Sequence, residues 1–312
     1  MLQKINDYIE NMAYIHQPRN LYDPVEYILS LGGKRIRPLL LMMSYALYKD
    51  DVDSVLPQAV GLEMLHSSTL LHDDLIDNAN IRRGQDTIHR KWGANTAILS
   101  GDCMLAMSFK LMQQCSADKL SEVMDTFTNT TIEICEGQQY DMDFESRSEV
   151  SDAEYIEMIR LKTGVLLACA VKIGAILADA PRSDISLLYE FGLNMGIAFQ
   201  LQDDYLDVYG NPMVLGKNTG NDIIENKKTF MLIRALRLAE GDDKTVLHQW
   251  VSSTSFDKQE KTDAITNLYG KLGIDQMAMA LIDNYYKLAV EALRTVQVAE
   301  SKKQSLYDYI TR

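Results

Sequence analysis

"LLHDDLIDNANIRRGQ", residues 70–85, crowds Asp73, Asp74 and Asp77 into five positions and follows them with Arg82 and Arg83. Carboxylates packed this closely repel one another unless water, a cation or a partner offsets the charge. The apolar residues leading into the cluster read as a helix. On a helix, the four-residue spacing of Asp73 and Asp77 puts both carboxylates on one face, a single turn apart. Mg²⁺ suits such a pair, because it takes oxygen ligands, keeps several waters and is commonly shared between one or two carboxylates and substrate phosphates. Arg82 and Arg83 then add permanent cations able to grip phosphate, although salt bridges to the aspartates compete with that role.

The pattern returns in "FQLQDDYLDVYGNP", residues 199–212, with Asp203, Asp204 and Asp207 again at the polar end of an apolar helix. If the two helix ends face one another, they form an acidic mouth that divalent ions would turn attractive to a diphosphate. Basic positions follow the same logic: Lys34, Arg35 and Arg37 in "GGKRIRP", Lys162 and Thr163 in "RLKTGV", and Lys217, Lys227 and Lys228 in "GKNTGNDIIENKKT". Glycines punctuate these stretches and helix ends lie beside them, which favours phosphate contacts.

The rest of the chain argues for helices. "DPVEYILSLGG" offers Asp23 as a cap, Pro24 at the first helical position, and Gly32 and Gly33 as a stop. Ser151 and Glu154 have capping-box spacing, and Leu188, Phe191, Met195 and Phe199 recur with helical period. Strand-like alternation is scarce, and six prolines with no Gly/Ser-rich run leave no linker in view. The expected fold is all-α, a single domain over residues 1–312 built as a bundle of many helices. "VLLACAVKIGAILADA", from Val165, carries Lys172 in its middle and suits a buried helix better than a membrane span.

Composition excludes other classes. Hydrophobic residues at 46% and charged residues at 24% are ordinary globular usage rather than disorder. The net charge of −13, from 31 Lys and Arg against 44 Asp and Glu, disfavours nucleic acid as a partner. Cys103, Cys115, Cys135 and Cys169 show no Cys-x-x-Cys spacing and are expected to be reduced core thiols. "GNPMVLGKN" misses the P-loop spacing, and no His-Glu-x-x-His or EF-hand pattern occurs. No basic segment followed by an apolar run opens the sequence, so a cytoplasmic setting is expected.

Taken in order, "GGKRIRP", "LLHDDLID" with "RRG", "LKTG", "QLQDDYLD" and "GKNTGNDIIENKKT" resemble the trans-polyprenyl diphosphate synthases, the family of farnesyl and geranylgeranyl diphosphate synthases. The resemblance implies an all-α fold around a deep central cavity, usually in a homodimer. It implies Mg²⁺, three ions with substrate bound, held by Asp73, Asp74 and Asp77 and by Asp203, Asp204 and Asp207. Arg82, Lys162, Lys217 and Lys227 would hold an allylic diphosphate, and Lys34, Arg37, His66 and Arg83, with Arg35 nearby, isopentenyl diphosphate. A satisfied core histidine is the competing reading of His66.

The implied reaction is head-to-tail prenyl transfer, with oxygens around Lys162, Thr163 and Gln200 steadying the carbocation. Leu62, Leu65, Ser68 and Thr69 would line the product pocket. Small Ser68 and Thr69 stand where synthases that stop at farnesyl often carry an aromatic floor, so a geranylgeranyl or longer product is expected. A farnesyl diphosphate synthase, a terpene cyclase and the noncatalytic subunit of a two-chain prenyl synthase are the alternatives. Of these, the cyclase would not need "GGKRIRP".

Overall fold

A computed structural model of the chain describes residues 1–12, 17–211 and 219–310. The helices are α1 (Leu2–Asn11), α2 (Arg19–Ser30), α3 (Ile36–Ala46), α4 (Leu56–Ile76), α5 (Ile88–Trp92), α6 (Ala94–Met112), α7 (Ala117–Ser146) and α8 (Asp152–Ile159). There follow α9 (Val165–Leu177), α10 (Arg182–Tyr209), α11 (Asn221–Glu225), α12 (Phe230–Leu238), α13 (Gly241–Ser252), α14 (Lys258–Lys271), α15 (Ile274–Thr295) and α16 (Glu300–Ile310). The fold is all-α, as expected. Among the described residues, no helix is long and apolar enough to cross a membrane.

The chain forms two compact units. One comprises Met1–Asn129, Cys169–Tyr189 and Val296–Arg312; the other comprises Thr130–Ala168 and Glu190–Thr295. In the first, the middle of α4 is buried, with Leu62 and Met64 at 0% exposure, and the helix packs with α3 and α6. In the second, Phe144, Tyr155, Met158, Leu201, Phe230, Leu247, Ile265 and Leu268 form a continuous apolar core. Burial of such side chains, at about 25 cal/mol per Å² of apolar surface, is what holds helices that are individually marginal in water.

Four local readings of the sequence meet different outcomes. Ser151 and Glu154 do form a capping box at the start of α8. The helix expected to begin at Pro24 instead begins at Arg19, with Pro24 inside it. The lost Pro24 N–H costs one intrahelical bond, and the Arg19–Asp23 ion pair at 2.8 Å supports the added turn. Leu188, Phe191 and Met195 are buried on α10, but Phe199 is 40% exposed, so the apolar stripe ends one turn earlier than its period suggests. Of the cysteines only Cys169 is buried, and Cys135 is exposed, because its position on α7 faces away from the apolar side.

Two short strands also appear where none was foreseen. Ile81–Arg82 pairs antiparallel with Gln85–Asp86, and Arg83 and Gly84 between them both have positive φ, 53° and 76°. Positive φ at both central residues is the signature of the tight hairpin turn whose twist matches its strands. This hairpin aims Arg82 back toward the end of α4.

Candidate active site

Asp73 and Asp74 occupy the last turn of α4, and Asp77 caps it, its N–H bonded to the Asp73 carbonyl at 2.9 Å. A helix C-terminus carries partial negative charge, so carboxylates there are disfavoured until cations approach. Arg82 is one such cation: its Nε donates to Asp74 Oδ2 at 2.7 Å. Asp74 is 3% exposed, and its Oδ1 is buried with no hydrogen-bond partner. An orphaned carboxylate oxygen in a set of hard oxygen donors fits a cation such as Mg²⁺. Among the described residues no three His, Cys, Asp or Glu side chains converge as a preformed cage. That is consistent with an ion whose shell is completed by water and phosphate rather than by protein alone.

The same unit gathers the predicted basic residues. Arg35, Arg37, Arg82 and Arg83 all lie close enough to His66 that, after burial, their charges hold its imidazole well below the usual histidine range. His66 is therefore a neutral hydrogen-bonding group within a cationic nest. Burial pushes Arg37 down to about 10, partly opposed by Glu63, which leaves it protonated at neutral pH, and its Nε is buried without a partner. Burial also lowers Arg83. Lys34 is exposed on the loop before α3. Arg35 differs from these: its Nη1 meets Glu63 Oε1 at 2.5 Å and its Nη2 donates to the Leu29 carbonyl at 2.7 Å. It anchors the loop that carries its neighbours.

Gly33, with φ 142°, lies directly under Arg83; a Cβ there would stand 2.8 Å from Arg83 Nη2. The paired glycines of "GGKRIRP" thus do more than stop α2. On α4, Leu62 and Leu65 are fully buried and Ser68 is 3% exposed. Ser68 Oγ donates to the Leu65 carbonyl and Thr69 Oγ1 to the His66 carbonyl, so neither hydroxyl needs another partner.

In the second unit, Asp203, Asp204 and Asp207 lie in the last turns of α10, again at a carbonyl end. Asp203 is exposed. Asp204 is 5% exposed, and both its oxygens accept hydrogen bonds, Oδ2 from Tyr155 Oη at 2.5 Å and Oδ1 from Gln200 Nε2 at 2.9 Å. Asp207 Oδ2 accepts the Asp222 N–H at 2.9 Å, at the start of α11. Burial pushes the Asp222 carboxyl up to about 7; Lys227 opposes the shift, and Asp204, Asp207 and Asp203 reinforce it. Asp203, Asp204 and Asp207 thus crowd around Asp222, and Lys227 is the cation set against them.

Lys162 and Thr163 sit in a π-helical turn, Arg160–Gly164, between α8 and α9. One residue inserted into a helix in this way re-aims side chains and is frequent at functional sites. Gly137 of α7 makes room for it: a Cβ there would fall 2.3 Å from the Lys162 backbone N. Lys162 Nζ pairs with Asp141 at 2.7 Å, and Thr163 Oγ1 donates to Gln200 Oε1 at 2.9 Å. Lys162, Thr163, Gln200, Asp204 and Lys227 share one small cavity of about 30 Å³ with Tyr155 and Asp141. Lys217 lies outside the described residues.

Asp141, Tyr155, Asp222 and the buried Lys261 were not singled out from the sequence. Asp222 had a signal, its place within "GKNTGNDIIENKKT"; the other three had none.

Residues 18–269 match the Polyprenyl synthetase family. The chain is 40% identical over 266 residues to a short chain isoprenyl diphosphate synthase of Methanocaldococcus jannaschii, covering 85% of this chain and 80% of the relative. It is 36% identical over 300 residues to a geranylgeranyl diphosphate synthase of Sulfolobus acidocaldarius, covering 95% and 90%. A crystal structure of a geranylgeranyl pyrophosphate synthase superposes with a TM-score of 0.93 at 39% identity, covering 99% of this chain and 97% of that one.

Proposed function

Because the chain belongs to the polyprenyl synthetase family, we propose that it is a trans-prenyltransferase that joins isopentenyl diphosphate to an allylic diphosphate, giving a geranylgeranyl or longer product and diphosphate. The observation that carries this reading is the junction of the two charge clusters in one unit. Arg82 links Asp74, with its orphaned oxygen, to a nest of arginines around neutral His66. An anion is attracted to such a nest, and a cation to such an oxygen. Relatives named as geranylgeranyl diphosphate synthases favour this over a terpene cyclase or a noncatalytic subunit.

We assign Arg82, Lys162, Lys217 and Lys227 to the allylic diphosphate, and Lys34, Arg37, His66 and Arg83 to isopentenyl diphosphate. Neutral His66 donates one hydrogen bond without adding charge that its arginine neighbours would oppose. Asp73, Asp74 and Asp77, and Asp203 with Asp207 and the neighbouring Asp204, would hold Mg²⁺, which when bound neutralises charge on the departing diphosphate. The allylic C–O bond breaks and diphosphate departs, the isopentenyl double bond supplies the electrons of the new C–C bond, and the departed diphosphate takes the proton lost from the isopentenyl C2. Oxygens of Thr163 and Gln200 and the Lys162 carbonyl steady the allylic cation. The apolar face of α4 keeps water, which would quench it, away from the chain.

Ser68 and Thr69 support the longer product, since neither side chain can wall off the helix face leading to Leu65 and Leu62. The reading also carries a requirement for Mg²⁺, with three ions once substrate is bound, one catalytic domain over the whole chain, a homodimeric assembly and a cytoplasmic setting.

Incubation with isopentenyl diphosphate, Mg²⁺ and allylic primers of increasing length, with products resolved by chain length, tests activity and pocket depth together. Geranylgeranyl or longer chains are expected. Farnesyl as the sole end product would overturn the chain-length assignment, and absence of any condensation would overturn the activity.

A further inference from the structure

Four side chains of the second unit form an unbroken hydrogen-bonded line. Tyr155 Oη donates to Asp204 Oδ2, Gln200 Nε2 donates to Asp204 Oδ1, and Thr163 Oγ1 donates to Gln200 Oε1, at 2.5, 2.9 and 2.9 Å. Tyr155 is 1% exposed, packs in the apolar core and also lines the small cavity. The carboxylate its hydroxyl bonds is 49 residues away in the chain.

The line fixes directions as well as positions. A primary amide presents donors at one end and an acceptor at the other. With Nε2 committed to Asp204, the Gln200 oxygen faces Thr163; a flipped amide would set its oxygen against the Asp204 carboxylate, acceptor against acceptor, and it is that clash which fixes the orientation. Thr163 in turn spends its proton on Gln200, so its remaining lone pairs stay available on the side of the cavity it shares with Lys162 and Lys227. Asp204 is the only member that accepts twice, and its two bonds are both internal.

We propose that Tyr155 is a positioning residue of the prenyl-transfer site, and that with it Asp204 serves as an internal acceptor orienting Gln200 and Thr163 rather than as a ligand to metal. The inference rests on the prenyl-transfer reading and deepens it by removing Asp204 from the metal-holding set. It separates Asp204 from Asp203, its neighbour in sequence, although the two look equivalent in "QDDYLD". Asparagine can replace an acceptor of this kind: its oxygen still accepts from Gln200, and its NH₂ can donate to the Tyr155 oxygen. Asparagine replaces an anionic metal ligand poorly.

The test compares Tyr155→Phe, Asp204→Asn, Asp204→Ala and Asp203→Asn in the full chain. One readout is calorimetric binding of inorganic diphosphate in the presence of Mg²⁺. The other is steady-state turnover with the fraction of ionised allylic substrate released as alcohol. Asp204→Asn is expected to keep Mg²⁺-dependent diphosphate binding within about threefold of the unaltered protein, whereas Asp203→Asn weakens it more than tenfold. Tyr155→Phe and Asp204→Ala are expected to lower kcat by roughly 10–100-fold with KM for isopentenyl diphosphate unchanged, and to raise the alcohol fraction.

A merely structural tyrosine would change the melting temperature without moving that fraction. Weakening of diphosphate binding by Asp204→Asn as severe as that by Asp203→Asn would overturn the proposal, and so would an unchanged alcohol fraction in both Tyr155→Phe and Asp204→Ala. Should Tyr155→Phe fail to fold, the Asp204→Asn and Asp204→Ala pair decides alone. If the unaltered enzyme makes no condensation product, the functional reading itself fails and takes this proposal with it; condensation by an enzyme indifferent to these changes sinks only the proposal.

Discussion

Arg35 and Glu63 form a closed ion pair, Nη1 to Oε1 at 2.5 Å, with each side chain 3% exposed. Arg35 caps the start of α3 in a left-handed conformation, φ 48°, and also donates to the Leu29 carbonyl. The pair joins the α2–α3 loop to α4, so it sets where Arg37 and His66 stand. Removing one partner leaves the other charge buried alone, at a cost of about 3–5 kcal/mol. Arg35→Met should therefore lower the denaturation midpoint sharply, and Arg35→Met combined with Glu63→Leu should recover much of the loss. A double variant no more stable than Arg35→Met would contradict this account.

Gly33→Ala tests the contact under Arg83. The added methyl meets the guanidinium at 2.8 Å, and φ 142° is unsuited to alanine. Strain of about 1–3 kcal/mol is expected. Because the guanidinium is the part that can yield, KM for isopentenyl diphosphate should rise several-fold more than KM for the allylic substrate. Equal changes in the two constants would point to general loosening instead.

What the sequence discloses about this molecule is what lies close along the chain. Ser151 and Glu154 are three residues apart, and their capping box forms as read. The two aspartate clusters announce themselves because four-residue spacing is a helical neighbour relation, and both do end helices. Tyr155 was invisible for the opposite reason: at an apolar helical position a tyrosine reads as core, and its partner Asp204 is reached only through the fold. The π-helical turn at Arg160–Gly164 is hidden too, since one inserted residue leaves no periodic trace in so short a segment. Arg82 and Asp74 stand eight residues apart, with a hairpin between them that the sequence marks only by Arg83-Gly84.

His66 makes stability depend on pH. Its folded pKa lies well below the usual histidine value, first through burial and then through Arg37, Arg83, Arg82 and Arg35. The unfolded chain, with a pKa of about 6.5, therefore binds a proton that the folded chain refuses. The resulting stability is complete above about pH 6.5 and declines as pH falls from there toward the folded value. Denaturant unfolding followed from pH 7.5 to 5 should show this loss, and His66→Gln should flatten it. An identical pH slope in the two proteins would remove His66 from the account.

Lys261 carries the last prediction. It is 0% exposed on α14, with Nζ donating to the Ile224 carbonyl at 3.0 Å and to Asn226 Oδ1 at 2.7 Å, and lying 4.2 Å from the centre of the Phe256 ring. Burial pushes its pKa down, yet its contacts are those of a cation: a carbonyl from the last turn of α11, an amide oxygen and an aromatic face. Asn226, held in turn by the Val251 carbonyl at 3.0 Å, is the residue immediately before Lys227. Lys261 thus ties down the segment that presents Lys227. Lys261→Met leaves the Ile224 carbonyl and the Asn226 oxygen without this donor, a cost of about 1–3 kcal/mol that relief of the buried charge offsets in part. The melting temperature should fall by a few degrees. KM for the allylic diphosphate should rise several-fold, while KM for isopentenyl diphosphate, whose assigned residues all lie in the other unit, should stay put. If the Met variant melts lower but binds the allylic substrate normally, Lys261 supports the core and has no part in setting Lys227.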